Sequence, residues 1–245
     1  MPWRSSPAVT ACADEITAYA SSPGAAGCQA GRRLTGGNVT EINYQIYLPP
    51  GFGTEDADTP TKKWPLIFFL HGSGEGEGKF CTGKTVSGAE YDLGLNDVDS
   101  VCYHGLPHKI TDRAAVAPHF IVVSPQAPAS ANASWSDADG VALEALEDLG
   151  GAITQALAVD LSRVYLTGLS MGGAGTWNWA AAAPDHFAAI APICGGIRGD
   201  PAPLKDVPAW LFVGATDGVS SAENAKNKPG YSTSDRLLVV TANFY

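Results

Sequence analysis

Residues 167–173 read TGLSMGG and place Ser170 at the centre of a Gly-x-Ser-x-Gly pattern. An apolar run, RVYLTG (163–168), precedes the serine, and helix-forming residues, GGAGTWNWAAAA (172–183), follow it. In a chain with 28 glycines the five-residue pattern alone is a chance match. With a strand before it and a helix after it, it predicts a serine nucleophile held at a sharp strand-to-helix turn. Glycines are needed two positions either side because side chains there would collide across the turn. The start of the following helix adds a positive end close to the charge that develops on attack.

Two further segments fit acyl-transfer chemistry. FFLHGSGEG (68–76) is a strand ending in His-Gly-x-Gly, a usual source of one oxyanion-binding amide. The donors predicted here are the backbone N–H groups of Ser73 or Gly72 and of Met171, each worth ~3 kcal/mol in the transition state. A plain glycine turn is the simpler alternative for this segment. In AWLFVGATD, Asp217 follows the next-but-one strand after the nucleophile strand, the place of the acid in a Ser-Asp-His chain order. Asp-Gly is also ordinary turn chemistry.

The base is harder to find. The sequence has five histidines, and none follows His186. His186 lies beyond a helix of about 12 residues and so roughly 18 Å from the serine. His119 precedes its strand, at the wrong end of the sheet. His71 is expected to orient the oxyanion loop. His104 and His108 lie in a long insertion and can approach the site, either as a base or as site-shaping groups. The tail after Asp217 resembles neither a helix–strand–histidine ending nor a substitute for one.

Two competing motifs carry less. GKFCTGKT (78–85) satisfies the phosphate-loop pattern, but it lies eight residues beyond Leu70 and follows the acidic GEGEG. Cys102, His104 and His108 cluster in CYHGLPH without an evident fourth ligand, so no metal site is expected.

The elements that must position these groups follow from the pattern along the chain. Residues 1–37 are small, polar and glycine-rich and read as a loosely structured lead-in to a domain spanning 38–245. NVTEINYQIYL (38–48) alternates like a half-exposed strand. PLIFFL (65–70), FIVVSP (120–125), AAIAPIC and AWLFVGA are short continuous apolar runs, as in strands buried on both faces. Residues 137–159 have helical spacing, with Gly150 and Gly151 as a weak point. Strands alternating with helices predict an α/β, doubly wound, mostly parallel sheet. The connection 71–118 leaves the C-terminal end of its strand and is expected to help build the site. DRLLVV (235–240) reads as a last strand inside an atypical tail, 218–245.

At 245 residues with 45% hydrophobic content the chain can bury one sizeable core. A formal net charge of −10 argues against nucleic acid and against an acidic membrane surface. The longest apolar run, Leu66–Leu70, is too short to span a bilayer. Of five cysteines, Cys12 with Cys28 and Cys81 with Cys102 suit two local disulfides in an oxidising compartment, and Cys194 a buried thiol. An exported protein is the favoured reading, although no signal peptide is present, and a reduced cytoplasmic one is the alternative.

The segments PLIFFLHGSGEG, HGLP, FIVVSPQ, VDLSRVYLTGLSMGGAGTW, PDHFAAIAPICGG and PAWLFVGATD together resemble the phospholipase/carboxylesterase-type α/β-hydrolases, including feruloyl-esterase-like and polyhydroxybutyrate-depolymerase-like enzymes. The resemblance covers about residues 40–217 and fades after Asp217. It implies an α/β-hydrolase fold with an incomplete or atypical C-terminal end. It also implies hydrolysis of small-molecule or polymer-attached carboxylic esters through an acyl-serine, without metal or organic cofactor. Ser170 would be the nucleophile and Asp217 the acid, with Glu75, Gln126 and Trp177 at positions that commonly shape the site. Trp135, Trp177 and Trp179 are either stacking surfaces for substrate or, more commonly, core residues. Without a histidine after the last strand, impaired catalysis is expected. The alternative is a non-catalytic binding protein on a hydrolase scaffold.

Overall fold

The continuous apolar runs become the middle of one eight-stranded sheet. The computed structural model describes residues 2–22, 25–27, 29–35, 40–53, 62–76, 98–111, 119–135, 140–197, 199–215, 217 and 237–242. Strands β3 (Trp64–Leu70), β4 (Ile121–Pro125), β5 (Val159–Leu169), β6 (Ala189–Ile193), β7 (Ala209–Gly214) and β8 (Leu237–Ala242) run parallel. Two strands, β1 (Gln29–Leu34) and β2 (Ile42–Tyr47), join antiparallel at one edge, giving the order β1-β2-β4-β3-β5-β6-β7-β8. The sheet is thus mostly parallel, as the alternating pattern predicts.

Alternate side chains of the central strands supply the core. Leu66, Phe68 and Leu70 of β3 join Ile121, Val123, Val164, Leu166, Ile190 and Leu211 in a single apolar cluster. The helices α1 (Pro7–Ala20), α3 (Val141–Ala156) and α4 (Met171–Ala182) contribute Val9, Ile16, Leu146, Leu149, Trp177 and Trp179 to that cluster. A short 3-10 helix at Val98–Tyr103 and helix α2 (Gly105–Thr111) lie on the other face, where Gly105 meets the ring of Phe69.

The amino-terminal region departs from the expected loose lead-in. Residues 7–20 form α1, with Ser6 accepting a hydrogen bond from the Val9 N–H (3.2 Å) and Pro7 in the first turn. Val9, Cys12, Ala13 and Ile16 are its buried residues, a one-sided stripe at i, i+3, i+4 and i+7. The stripe is narrow and built partly of small residues, which hides it in the sequence. Upstream, Arg4 reaches Glu144 (3.1 Å) and Asp148 (3.4 Å) on α3. Helix α3 continues through Gly150 and Gly151, where a Cβ would collide with the Trp3 ring or the Arg4 carbonyl.

Strand β2 also differs from expectation. Its polar residues are not half-exposed: Asn43 and Gln45 are buried. Asn43 Nδ2 donates to Gln126 Oε1 (3.3 Å) and Gln45 Nε2 to Asp99 Oδ1 (3.0 Å). Buried amides must find partners, and here those partners come from the segments that frame the serine.

Candidate active site

The C-terminal ends of β3, β5, β6 and β7 lead into His71, Ser170, Cys194 and Asp217 along one edge of the sheet, where parallel sheets place their ligands. Ser170 is exposed between β5 and α4 at φ 56°, ψ −111°, a conformation that costs a non-glycine residue about 1–3 kcal/mol. It is held there from both sides, since its N–H donates to the Ile193 carbonyl (2.8 Å) and its carbonyl accepts from Ala174 (3.0 Å). A Cβ on Gly172 would collide with the Leu70 carbonyl, and one on Gly168 would sit 2.7 Å from the same oxygen. The two glycines that the pattern demanded are therefore dictated by the backbone of the neighbouring strand β3. The amides of Met171, Gly172 and Gly173 precede the first i→i−4 bond of α4 and face the serine's end of the helix.

The loop after β3 lies beside this turn, because a Cβ on Gly72 would lie 4.0 Å from Ser170 Cβ. His71 anchors the loop. Its ring is fully buried, Nδ1 donates to the Gly72 carbonyl (2.7 Å), and Nε2 accepts the Ala127 N–H (2.9 Å). Burial lowers its pKa from 6.5 to about 4, so the ring stays neutral. The His71 carbonyl in turn accepts the indole N–H of Trp135 (3.1 Å).

Glu75 closes the loop from beneath. Its side chain is buried, and Oε2 accepts the Gly72 N–H (2.8 Å). The Gly72 N–H is thereby engaged, while Ser73 is exposed at the loop tip. The other oxygen, Oε1, lies 3.2 Å from Nδ1 of His104. Burial pushes the Glu75 carboxyl above its ordinary range, opposed by the Gly72 N–H and by His104. Its backbone carbonyl accepts from Ser100 Oγ (2.8 Å) and Gln126 Nε2 (3.2 Å), joining the loop to the 98–103 turn and to β4. Gln126 thus ties the Glu75 backbone to Asn43 of β2 and to Ser100.

The tryptophans are core residues, the commoner of the two expectations, and Asp217 follows the expected strand. Trp177 is 1% exposed and offers no surface to a ligand; its indole N–H donates to the Gly195 carbonyl (3.0 Å) and braces the loop after β6. Trp135 and Trp179 are buried as well. Asp217 follows β7 with its N–H on the Gly214 carbonyl (3.2 Å) and lies two strands, roughly 10 Å, from the serine's strand. Its carboxylate sits beside the Cys194 thiol, whose pKa is raised by burial first and by Asp217 in addition. The sequence carried no signal for the Glu75–His104 pair, since 28 residues separate them.

The cysteine and metal expectations can be placed in part. Cys12, Cys102 and Cys194 carry free thiols, so neither expected disulfide forms at its described end; Cys28 and Cys81 lie outside the described residues. Cys102, His104 and His108 do not converge: the Cys102 sulfur accepts from Gln29 (3.3 Å), His104 faces Glu75, and His108 Nδ1 faces the Cys102 carbonyl (3.1 Å). The phosphate-loop pattern at 78–85 and the tail at 218–236 also lie outside the described residues. Among the described residues, no helix is long and apolar enough to cross a membrane. A cleft of about 320 Å³ at the β1–β2 edge is lined by Arg33, Glu41, Asn43 and Ser130, none of which belongs to the surroundings of Ser170.

Comparison with known proteins agrees with the geometry. No protein-family model matches the chain. Feruloyl esterase D of Neurospora crassa is 25% identical over 212 residues, which are 83% of this chain and 65% of that protein. A probable feruloyl esterase C of Aspergillus terreus is 25% identical over 173 residues, 70% of this chain and 53% of that one. The chain thus spans between about half and two thirds of the length of these curated relatives. Among solved structures, a thermostable esterase superposes with a TM-score of 0.61 at 27% identity, covering 88% of this chain and 55% of that one. An S-formylglutathione hydrolase from Staphylococcus aureus superposes with a TM-score of 0.59 at 17% identity, covering 89% of both.

Proposed function

We propose, from an α/β-hydrolase fold and a sequence related to feruloyl esterases, that this chain is a serine hydrolase of carboxylic esters. The observation that carries the reading is Ser170, exposed at φ 56° on a strand-to-helix turn beside the Gly72–Glu75 loop. Strain of this kind persists where the surrounding structure enforces it, and here it presents the hydroxyl clear of both elements.

In the proposed reaction, Ser170 Oγ attacks the ester carbonyl carbon. The oxyanion that forms is bound by the N–H groups of Met171 and Ser73, and the alcohol leaves as the acyl-serine forms. Water then attacks the acyl-serine and releases the acid. Asp217 stands at the end of β7 as the carboxylate for a base approaching from the β8 side, and no histidine of the sequence follows β7. Glu75 and Gln126 hold the oxyanion loop, and Trp177 the loop whose strand binds the Ser170 amide. Hydroxycinnamoyl esters, whether small or attached to a polymer, are the substrate class that the relatives' names suggest.

Hydrolysis of p-nitrophenyl acetate and methyl ferulate tests the reading. The expected result is turnover and fluorophosphonate labelling, both abolished by Ser170→Ala. One observation favours a second reading, a non-catalytic binding protein: among the described residues no histidine nitrogen is hydrogen-bonded to Ser170 Oγ. Ligand binding that survives Ser170→Ala, with no fluorophosphonate labelling, would select it.

A further inference from the structure

The cleft at the β1–β2 edge, about 320 Å³, is at the lower end of the size range of ligand sites. Its floor is buried and consists of Ile42, Asn43 and Pro128. Its rim is exposed and polar. Arg33 Nη2 meets Glu41 Oε2 at 2.7 Å, and Ser130 comes from the loop after β4. Arg33 and Glu41 cancel each other's charge, so the rim offers hydrogen-bond donors and acceptors without attracting an ion of either sign.

The cleft opens at the same end of the sheet as Ser170. Strand β2 runs antiparallel to β4 with Tyr44 beside Pro125, and the Asn43 carbonyl accepts the Gln126 N–H (2.7 Å). Residues 41–43 therefore stand at the C-terminal end of β4, the end at which Ser170 follows the parallel strand β5. The order β2-β4-β3-β5 puts three strand spacings, about 14 Å, between the cleft's strand and the serine's.

One loop connects the two places. Pro128 and Ser130 belong to the segment 126–135, which His71 holds at both ends. Its Nε2 accepts the Ala127 N–H (2.9 Å), and its carbonyl accepts the Trp135 indole N–H (3.1 Å). Ala133 of the same segment packs on the loop after β3, since a Cβ on Gly76 would lie 2.5 Å from that of Ala133. Asn132 and Ala133 both stand at positive φ (54° and 52°), a strained backbone that persists where its surroundings enforce it. The wall of the cleft is thus fixed to the loop beside Ser170.

We infer, on the serine-hydrolase reading above, that this cleft is a subsite for an uncharged saccharide, the alcohol part of a polymer-attached ester whose acyl group lies at Ser170. A sugar ring brings an apolar C–H face to Ile42 and Pro128, and hydroxyls that both donate and accept. Glu41 accepts, Arg33 donates, and Ser130 does either. A charged ligand would have to separate Arg33 from Glu41 and leave one of them unmatched. Across about 14 Å, p-nitrophenyl acetate reaches Ser170 without touching the cleft, whereas an oligosaccharide ester spans both.

Binding is tested without turnover, by amide NMR shifts of the Ser170→Ala chain titrated with xylopentaose, cellopentaose and anionic pentagalacturonate. A neutral pentasaccharide is expected to bind and to shift Arg33, Asn43 and Ser130. Adding Glu41→Ala should weaken that binding at least about 10-fold, the loss expected for hydrogen bonds to a charged group. Adding Ser130→Trp, which fills the cleft, should abolish it. Both changes are at exposed positions and should leave Tm and p-nitrophenyl acetate turnover unchanged, while raising KM for a feruloylated xylo-oligosaccharide at least about 10-fold. Binding of neither neutral saccharide, binding of pentagalacturonate in preference, or binding that survives both variants overturns the subsite. An unchanged KM for the oligosaccharide ester overturns it as well. In each of these cases p-nitrophenyl acetate turnover that Ser170→Ala abolishes leaves the hydrolase reading standing. No turnover by the unaltered chain overturns that reading and the subsite role with it, even where the cleft binds saccharide.

Discussion

Acidification tests how far the loop beside Ser170 depends on a neutral His71. The buried ring donates from Nδ1 to the Gly72 carbonyl and accepts the Ala127 N–H at Nε2, and a second proton has no place there. Burial lowers its pKa from 6.5 to about 4. Between those two values the unfolded chain binds a proton that the folded chain refuses. The contribution to stability is therefore fully present above about pH 6.5 and is lost as pH falls through that window. At ~1.4 kcal/mol per pH unit, the window is worth about 3 kcal/mol. Glu75 acts with the opposite sign: burial raises its folded pKa, so that group disfavours folding at high pH and less so in acid. A raw stability profile mixes the two, and the difference between the unaltered protein and His71→Asn isolates the histidine. Urea unfolding followed by tryptophan fluorescence at pH 7, 6 and 5 measures it. The variant is destabilised at pH 7 because the Ala127 amide loses its acceptor, by about 1–3 kcal/mol from that source. The gap between the two proteins should shrink by about 2 kcal/mol on going to pH 5. Parallel curves for the two proteins would refute the reasoning.

Two further outcomes follow from the geometry around Ser170. Ser170→Gly relieves the positive φ and should raise stability by about 1 kcal/mol while abolishing fluorophosphonate labelling; a lower urea midpoint would show that no strain is held there. Trp177→Phe leaves the buried Gly195 carbonyl without its indole donor and should cost about 1–3 kcal/mol in urea unfolding. It should also slow ester turnover, because the same loop follows the Ile193 carbonyl that holds the Ser170 amide, and an unchanged rate would separate that loop from the serine.

Much of the sheet was legible because its signals are local. PLIFFL, FIVVSP, RVYLTG and AWLFVGA are apolar runs bounded by turn residues, and each forms a strand, with β5 starting four residues earlier than its run. The strand–Ser–helix turn was legible for the same reason, since its glycines are required by contacts within seven residues and with one neighbouring strand. α1 was not legible: its buried stripe of Val9, Cys12, Ala13 and Ile16 gains meaning only once α3 lies beside it. Nor was the burial of Asn43 and Gln45, because a polar residue at alternate strand positions reads as solvent-facing until a partner such as Gln126 or Asp99 is brought to it.

The sequence by itself determined an α/β chain with a serine on a tight turn, a His-Gly-x-Gly loop and an aspartate after a later strand. These rest on short-range pattern, and short-range pattern survives in one dimension. Tertiary structure alone decided which amide of the loop Glu75 takes, which tryptophans are core and which carboxylate faces which side chain. Glu75 takes the Gly72 N–H and meets His104 across 28 intervening residues, while Asp217 meets Cys194. Such pairings depend on how strands are ordered and loops cross the sheet edge, and no spacing along the chain encodes them.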